Sequence, residues 1–194
     1  YFKMQGVGSS DKVTGMTTDL FDVTVPNFND DDIAAIKKHN PNGELVGDKL
    51  TTITTDFLGY GYIGINADNV KVGDDKASDA SKALRRGIAT LMAVYREPVV
   101  YAYYGDRASI IQYPISNTSW AAPKPADEGY EIAYSNDVDG NPIYTDGMND
   151  QQKIDAALQA AIGYFKAAGY TWDDAEGKFT AAPEGASLSY EFVI

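Results

Sequence analysis

Between Gly59 and Gly105 the chain changes its period, and that change constrains the fold more than any other feature. A tyrosine-rich, strand-like run at residues 62–66 (YIGIN) gives way to a polar connection containing Gly73, Asp74 and Asp75. An amphipathic helix follows. Ser78 is placed to cap it, and Asp79 sets negative charge against the free N–H groups of the first turn. Apolar residues then recur at Ala80, Leu84, Ile88, Leu91, Met92 and Tyr95, the three-and-four spacing of one buried face, with Arg85 and Arg86 off it. Pro98 cannot extend a helix but tolerates a first-turn position, so the spacing predicts a new short helix over 99–104, stopped by Gly105.

The flanking segments repeat the alternation. Residues 1–5 read as a strand, and 9–17 as a short helix capped by Ser9 or Ser10. Residues 20–25 alternate and stop at Pro26. Asn29 is placed to cap a helix with three acids in its first turn and Lys37, Lys38 and His39 in its last, which matches the helix dipole at both ends. Residues 40–43 (NPNG) predict a turn, and 44–65 two or three strands rich in Thr, Ile, Leu and Tyr. Residues 112–147 are irregular and hold four of the eight prolines, whose rigid rings interrupt regular structure. Residues 150–168 carry an apolar face of Ile154, Ala157, Leu158, Ala161, Phe165 and Ala168, ended by Gly169. A hairpin around 174–177 and a terminal strand complete the chain. This order predicts an α/β fold, a mixed β-sheet flanked by helices, in a single domain over 1–194.

Composition narrows the function. The 194 residues suffice for one sizeable core. Twenty-eight acids against 16 Lys and Arg give a formal net charge of −12, which disfavours nucleic acid or an anionic membrane surface as partner. Cysteine is absent, so disulfides, thiol catalysis and cysteine metal sites are excluded. No apolar run approaches the ~20 residues needed to span a bilayer. No signal peptide is visible, and the strand-like ends predict a piece of a longer protein.

Several motifs are better read as structure than as chemistry. Residues 59–64 satisfy GxGxxG, but the strand pattern continues through Ile65 and no helix starts before Ser78, so no pyrophosphate site is expected. Residues 9–12 contain SxxK without the partners that serine acylation needs. Asp137, Asp139 and Gly140 resemble half of a calcium loop. Ser135 stands at its first position, Asp146 replaces the final Glu and Pro142 interrupts it, so an Asp-Gly turn is the better reading. His39 is the only histidine and has no companions for a zinc site or a triad. The acid pairs Asp30/Asp32 and Asp173/Asp174 sit at a helix start and a turn, and no glycosidase pair stands out among them. No catalytic residue, metal site or cofactor is assigned.

Aromatic residues do stand out. Fourteen tyrosines are many for this length, and Tyr and Trp offer large contact area with a polar handle. Candidate ligand-binding residues are Tyr60 and Tyr62 in the strand-like run, and Tyr113, Asn117, Ser119 and Trp120 in the irregular segment, where loops line clefts.

Five segments in order carry a resemblance. Residues 19–41 (DLFDVTVPNFNDDDIAAIKKHNP), 62–66 (YIGIN), 81–88 (SKALRRGI), the stretch from YYGDRAS (103–109) to YPISNTSWAAP (113–123), and AAGY (167–170) together resemble the family-5 extracellular solute-binding proteins of ABC transporters, which capture oligopeptides, dipeptides and nickel chelates. Arg85 or Arg86 falls near the arginine that this family carries in a VRxAL-type helix. The insertion at 127–144 and the lack of an obvious first lobe depart from the family pattern. The resemblance implies one lobe of a type II periplasmic-binding-protein-like fold that closes on a peptide and docks on a permease. It implies no hydrolysis, and a location at the outer face of the cytoplasmic membrane or in the periplasm. A single lobe would bind its ligand weakly. The alternatives are a carboxylate-dependent secreted hydrolase and a non-catalytic surface interaction module.

Overall fold

The computed structural model describes residues 3–27 and 29–193, the side chain of Asp106 excepted. The chain divides into two compact units, Tyr1–Phe57 and Leu58–Ile194.

In the first unit, α1 (Lys12–Thr17) continues a 3-10 turn over Ser9–Asp11, and α2 (Asp30–His39) starts where Asn29 accepts the Asp32 N–H at 2.7 Å. That cap satisfies one of the free donors of the first turn, as the sequence predicts. The predicted serine cap of the first helix does not form: Gly8 precedes the 3-10 turn and no side chain caps it. Val13, Ile36 and Leu50 form the core of this unit, with Met16 and Leu45 packed on it. Asn40 is buried and organises the following turn. Its amide donates to the carbonyls of Glu44 and Leu50, and its Oδ1 accepts the Leu50 N–H at 2.9 Å.

The second unit is built on α3 (Asp79–Tyr104), α4 (Asp150–Ala167) and a hairpin of β1 (Thr171–Asp173) with β2 (Lys178–Ala181). The strands pair antiparallel, with Trp172 opposite Phe179 and Asp173 opposite Lys178. Leu84 of α3 meets Ala168 and Tyr170 in the core, closed over by Val70, Val72, Phe165 and Phe179. The helices approach closely at Gly87, where a β-carbon would stand 2.7 Å from the Phe165 ring. Asn149 and Gln152 form a reciprocal capping box at the start of α4.

Four expectations need correction. First, α3 is one helix of 26 residues that runs through Pro98, instead of two helices. The proline removes one ladder hydrogen bond, but it sits on an exposed stretch with Tyr95 and Glu97, where the helix meets no close-packed neighbour. Second, residues 62–66 form no strand, and neither do 20–25, 52–65 or the described parts of the two terminal strands. Tyr1, Phe2 and Ile194 lie outside the described residues. Within 44–65 the ladder is reduced to one antiparallel bridge, Val46 to Thr51. β-propensity records how well a side chain fits a half-buried pleated surface, and Ile53, Leu58 and Tyr62 stay largely exposed.

Third, the described residues hold a two-stranded antiparallel sheet beside helices in place of the predicted mixed sheet. The coarse mixture of helix and strand stands. Fourth, the predicted faces hold only in part. On α3 Leu84 is buried as predicted, but the other buried positions are Ser81, Gly87 and Thr90, and Tyr95 is exposed; on α4 Ala157, Ala161 and Ala168 are buried as predicted, while Leu158 is exposed and Tyr164 is buried in addition. Small and polar residues line these faces because the helices pack close together, which the apolar count alone does not reveal.

Candidate functional site

The polar connection into α3 is held by two side chains of that helix. Ser81 is fully buried, and its hydroxyl accepts the Val72 N–H at 2.9 Å and lies 2.7 Å from the Asp75 carbonyl. One turn on, the Arg85 guanidinium donates to the carbonyls of Val70 at 2.9 Å and Lys76 at 2.7 Å. Asp68 pairs with Lys76 at 2.7 Å; the cation beside it, through its hydrogen bond, holds the carboxyl below its usual range. The connection is thus a fixed polar loop.

From this unit the irregular segment forms a shelf. Arg96 of α3 donates to the Ile111 carbonyl at 3.3 Å and to Gln112 Oε1 at 3.2 Å. The same Oε1 accepts the Ala133 N–H at 3.0 Å, and the Tyr113 hydroxyl accepts that of Glu131 at 2.8 Å. Burial pulls the Arg96 pKa down, and burial also pushes that of Tyr144 up. From α4, the Tyr164 hydroxyl lies 2.9 Å from the Asn136 carbonyl and 2.8 Å from that of Asp137, sharing its proton between them.

Two cavities open on the shelf. One, of about 400 Å³, is lined by Tyr113, Trp120, Pro123, Asp127, Glu128 and Tyr130 among others. The other, of about 280 Å³, shares Tyr113 and Tyr130 and adds Ile111, Asn117 and Lys124. The Tyr113 and Tyr130 rings stand 5.6 Å apart at 55°, forming an angled wall.

Of the six candidate residues, Tyr113, Asn117 and Trp120 therefore come together. Trp120 projects with 94% of its surface exposed, and Asn117 Nδ2 donates to Ser109 at 2.6 Å. Ser119 sits in the same turn, its Oγ accepting the Ala121 N–H at 3.3 Å, but it lines neither cavity. Tyr60 and Tyr62 do not line the shelf cavities; their ring centroids lie 6.4 Å from each other on the unpaired run before the polar connection. Tyr130, Asp127 and Glu128 escaped the sequence reading. The turn-forming Pro125 and Gly129 flanking the acids and next to an aromatic were the available signal.

The Asp137 loop is a turn. Asp137 Oδ1 accepts the N–H groups of Asp139 at 3.0 Å and Asn141 at 2.8 Å, and Asn136 bridges to Pro142. Its Oδ1 thus faces backbone donors and its Oδ2 accepts from the Asn141 side-chain amide at 3.3 Å, so the carboxylate closes its own turn. Among the described residues no group of three or more His, Cys, Asp or Glu is arranged to hold a metal ion, and no helix is long and apolar enough to cross a membrane. Compared with protein-family models, curated proteins and solved structures, the chain matches none.

Proposed function

We propose that this chain is the second-lobe portion of the substrate-binding component of an ABC importer of the family-5 type, capturing peptides outside the membrane and handing them to a permease. The observation that carries the reading is the junction of the polar connection with α3. Arg85, near the position where the family has its arginine, ties the connection to the helix through two carbonyls, and Ser81 completes the tie. The shelf after α3 falls where the resemblance expects ligand-facing loops, and it carries Tyr113, Asn117 and Trp120 around open cavities.

In this reading the finer fold is one lobe of a type II binding-protein architecture. The role is non-catalytic: transport energy comes from a separate ATPase. The site is at the outer face of the cytoplasmic membrane or in the periplasm. Main-chain groups on both lobes hold the peptide, and adaptable pockets accept its side chains.

Calorimetric titration of the protein, with the other lobe if its gene encodes one, against a peptide library and an oligosaccharide panel tests this. Sub-micromolar peptide binding without turnover is the expected result. Hydrolysis of either panel, abolished by alanine at two carboxylates, would replace importer with hydrolase. Adjacent permease and ATPase genes are the corresponding expectation for gene context.

A further inference from the structure

The larger shelf cavity has a chemical bias that the peptide reading does not by itself specify. Its walls are the angled rings of Tyr113 and Tyr130, with the exposed Trp120 at hand. Two carboxylates, Asp127 and Glu128, line it, and among the described residues no lysine or arginine does. Lys124, the nearest cation in sequence, lines the other cavity, where its Nζ donates to the Asn117 carbonyl at 2.9 Å. We propose that this cavity takes an organic cation, an ammonium or guanidinium group presented by a short peptide; the inference rests on the peptide-binding reading and names the chemistry of one of its subsites.

The two carboxylates are held differently. Asp127 is fixed by its own turn: Oδ2 accepts the Lys124 N–H at 2.7 Å, and its N–H donates to the Lys124 carbonyl at 2.9 Å. Among the described residues no hydrogen bond or ion pair reaches the Glu128 carboxylate. One acid is therefore a fixed element of the wall, and the other can reorient to meet a guest. The Tyr113 hydroxyl is engaged by the Glu131 N–H, which holds its ring in place as a flat face. Aromatic faces carry negative quadrupolar charge and attract cations, best of all with Trp, and a carboxylate beside them adds to the attraction. An anionic guest would meet two like charges, in a chain whose formal net charge is −12. A neutral apolar guest would desolvate both acids and offer Glu128 no partner. Charge and ring chemistry select the same guest.

The test uses the full chain, labelled with nitrogen-15 and read by NMR, which detects weak binding. The chain has two tryptophans, so the indole N–H of Trp120 is assigned by its loss in Trp120→Phe. Three blocked or free tripeptides serve as probes: acetyl-Ala-Lys-Ala-amide, its norleucine isostere, and Ala-Ala-Ala-amide with a free amino terminus. Free argininamide is a fourth probe that carries the cation with little peptide. The lysine peptide is expected to shift Trp120, and to bind about fivefold tighter than the norleucine one, the sum of a modest cation–π contribution and an exposed ion pair. Glu128→Gln should erase the ion-pair part of that preference, bringing it to about twofold, and added salt should weaken it. The third peptide tells whether a terminal ammonium or a side-chain cation is preferred; either preference supports the proposal.

Equal affinity for the lysine and norleucine peptides overturns the proposal and leaves the peptide reading standing. Argininamide moving Trp120 with Glu128 dependence while no peptide binds overturns the peptide reading and leaves a cation site. Silence from all four probes overturns the cation site.

Discussion

Two regions of the second unit are ordered by opposite means. The layer of α3, α4 and the hairpin is held by apolar contact: Leu84 is 1% exposed, and the Phe165, Tyr170, Trp172 and Phe179 rings interlock at centroid distances of 4.8 Å to 5.9 Å. The shelf over 112–147 buries little and is held by single polar pins, Gln112, the Tyr113 hydroxyl and the Tyr164 hydroxyl. An apolar layer resists change as a whole because close-packed atoms share their contacts. A pinned loop can be loosened one bond at a time. That contrast suits a binding site: a rigid base, and a surface free to adapt to a guest.

The contrast breaks most visibly in the layer. Leu84→Ala should destabilise the second unit by about 3 kcal/mol, the usual cost of emptying a fully buried leucine site. Urea unfolding followed by tryptophan fluorescence through Trp172 would measure it. A loss under half that size would mean that α3 and α4 are not packed as described.

Gly185→Ala comes next. Gly185 has φ of +75°, and a β-carbon there would stand 2.7 Å from the backbone nitrogen of Gly73, whose N–H donates to the Glu184 carbonyl at 2.9 Å. A backbone neighbour cannot swing aside as a side chain does. The cost should be about 2 kcal/mol, combining left-handed strain with the clash. Gly185→Ser should behave the same way, and an unchanged unfolding midpoint for both would show that the C-terminal segment does not lie against the connection.

How far the sequence led follows the same division. Helix positions were legible because caps and periodicity are local: Asn29, Ser78 and the 150–168 stripe each mark an element that forms. The hairpin was legible because its turn is short and its flanks alternate. The strands at 44–65 were misread because pairing is not local; a run of Thr, Ile and Tyr has the right propensity and still needs a neighbour. Pro98 was misread for a related reason, since whether one lost bond ends a helix depends on its surroundings. On the shelf, Tyr113, Asn117 and Trp120 were legible as aromatic and polar loop residues. Their partners Asp127, Glu128 and Tyr130 were not, because a fold without repeating elements leaves no period to read.

A shelf pin should cost less and act locally. Gln112→Ala leaves the Ala133 N–H and part of the Arg96 guanidinium without their acceptor, at about 1 kcal/mol. Amide hydrogen exchange separates the regions: Ala133 and its neighbours should exchange faster while the Leu84 amide keeps its protection. Equal acceleration at both sites would make layer and shelf one cooperative unit and dissolve the contrast.

The smallest effect is a pH dependence confined to the Asp137 turn. Hydrogen bonds from the Asn141 backbone, then from its side chain and from Asp139 and Gly140, hold the Asp137 carboxyl below its ordinary value of 3.8. A pKa lowered on folding means that the ionised form is favoured in the folded turn, so its contribution is fully present above 3.8 and is lost as pH falls through the lower folded value. Asp137 is only half-buried and lies in a single turn, so the loss should appear as local loosening and not as unfolding. The amide resonances of Asp139 and Asn141 should titrate together in that acid window, with the Leu84 amide unmoved. Asp137→Asn keeps an oxygen acceptor and removes the charge, so it should abolish the titration while retaining the turn. If those amides instead titrate above 3.8, the carboxyl is not stabilised by the turn, which is then held by its backbone hydrogen bonds and the Tyr164 hydroxyl.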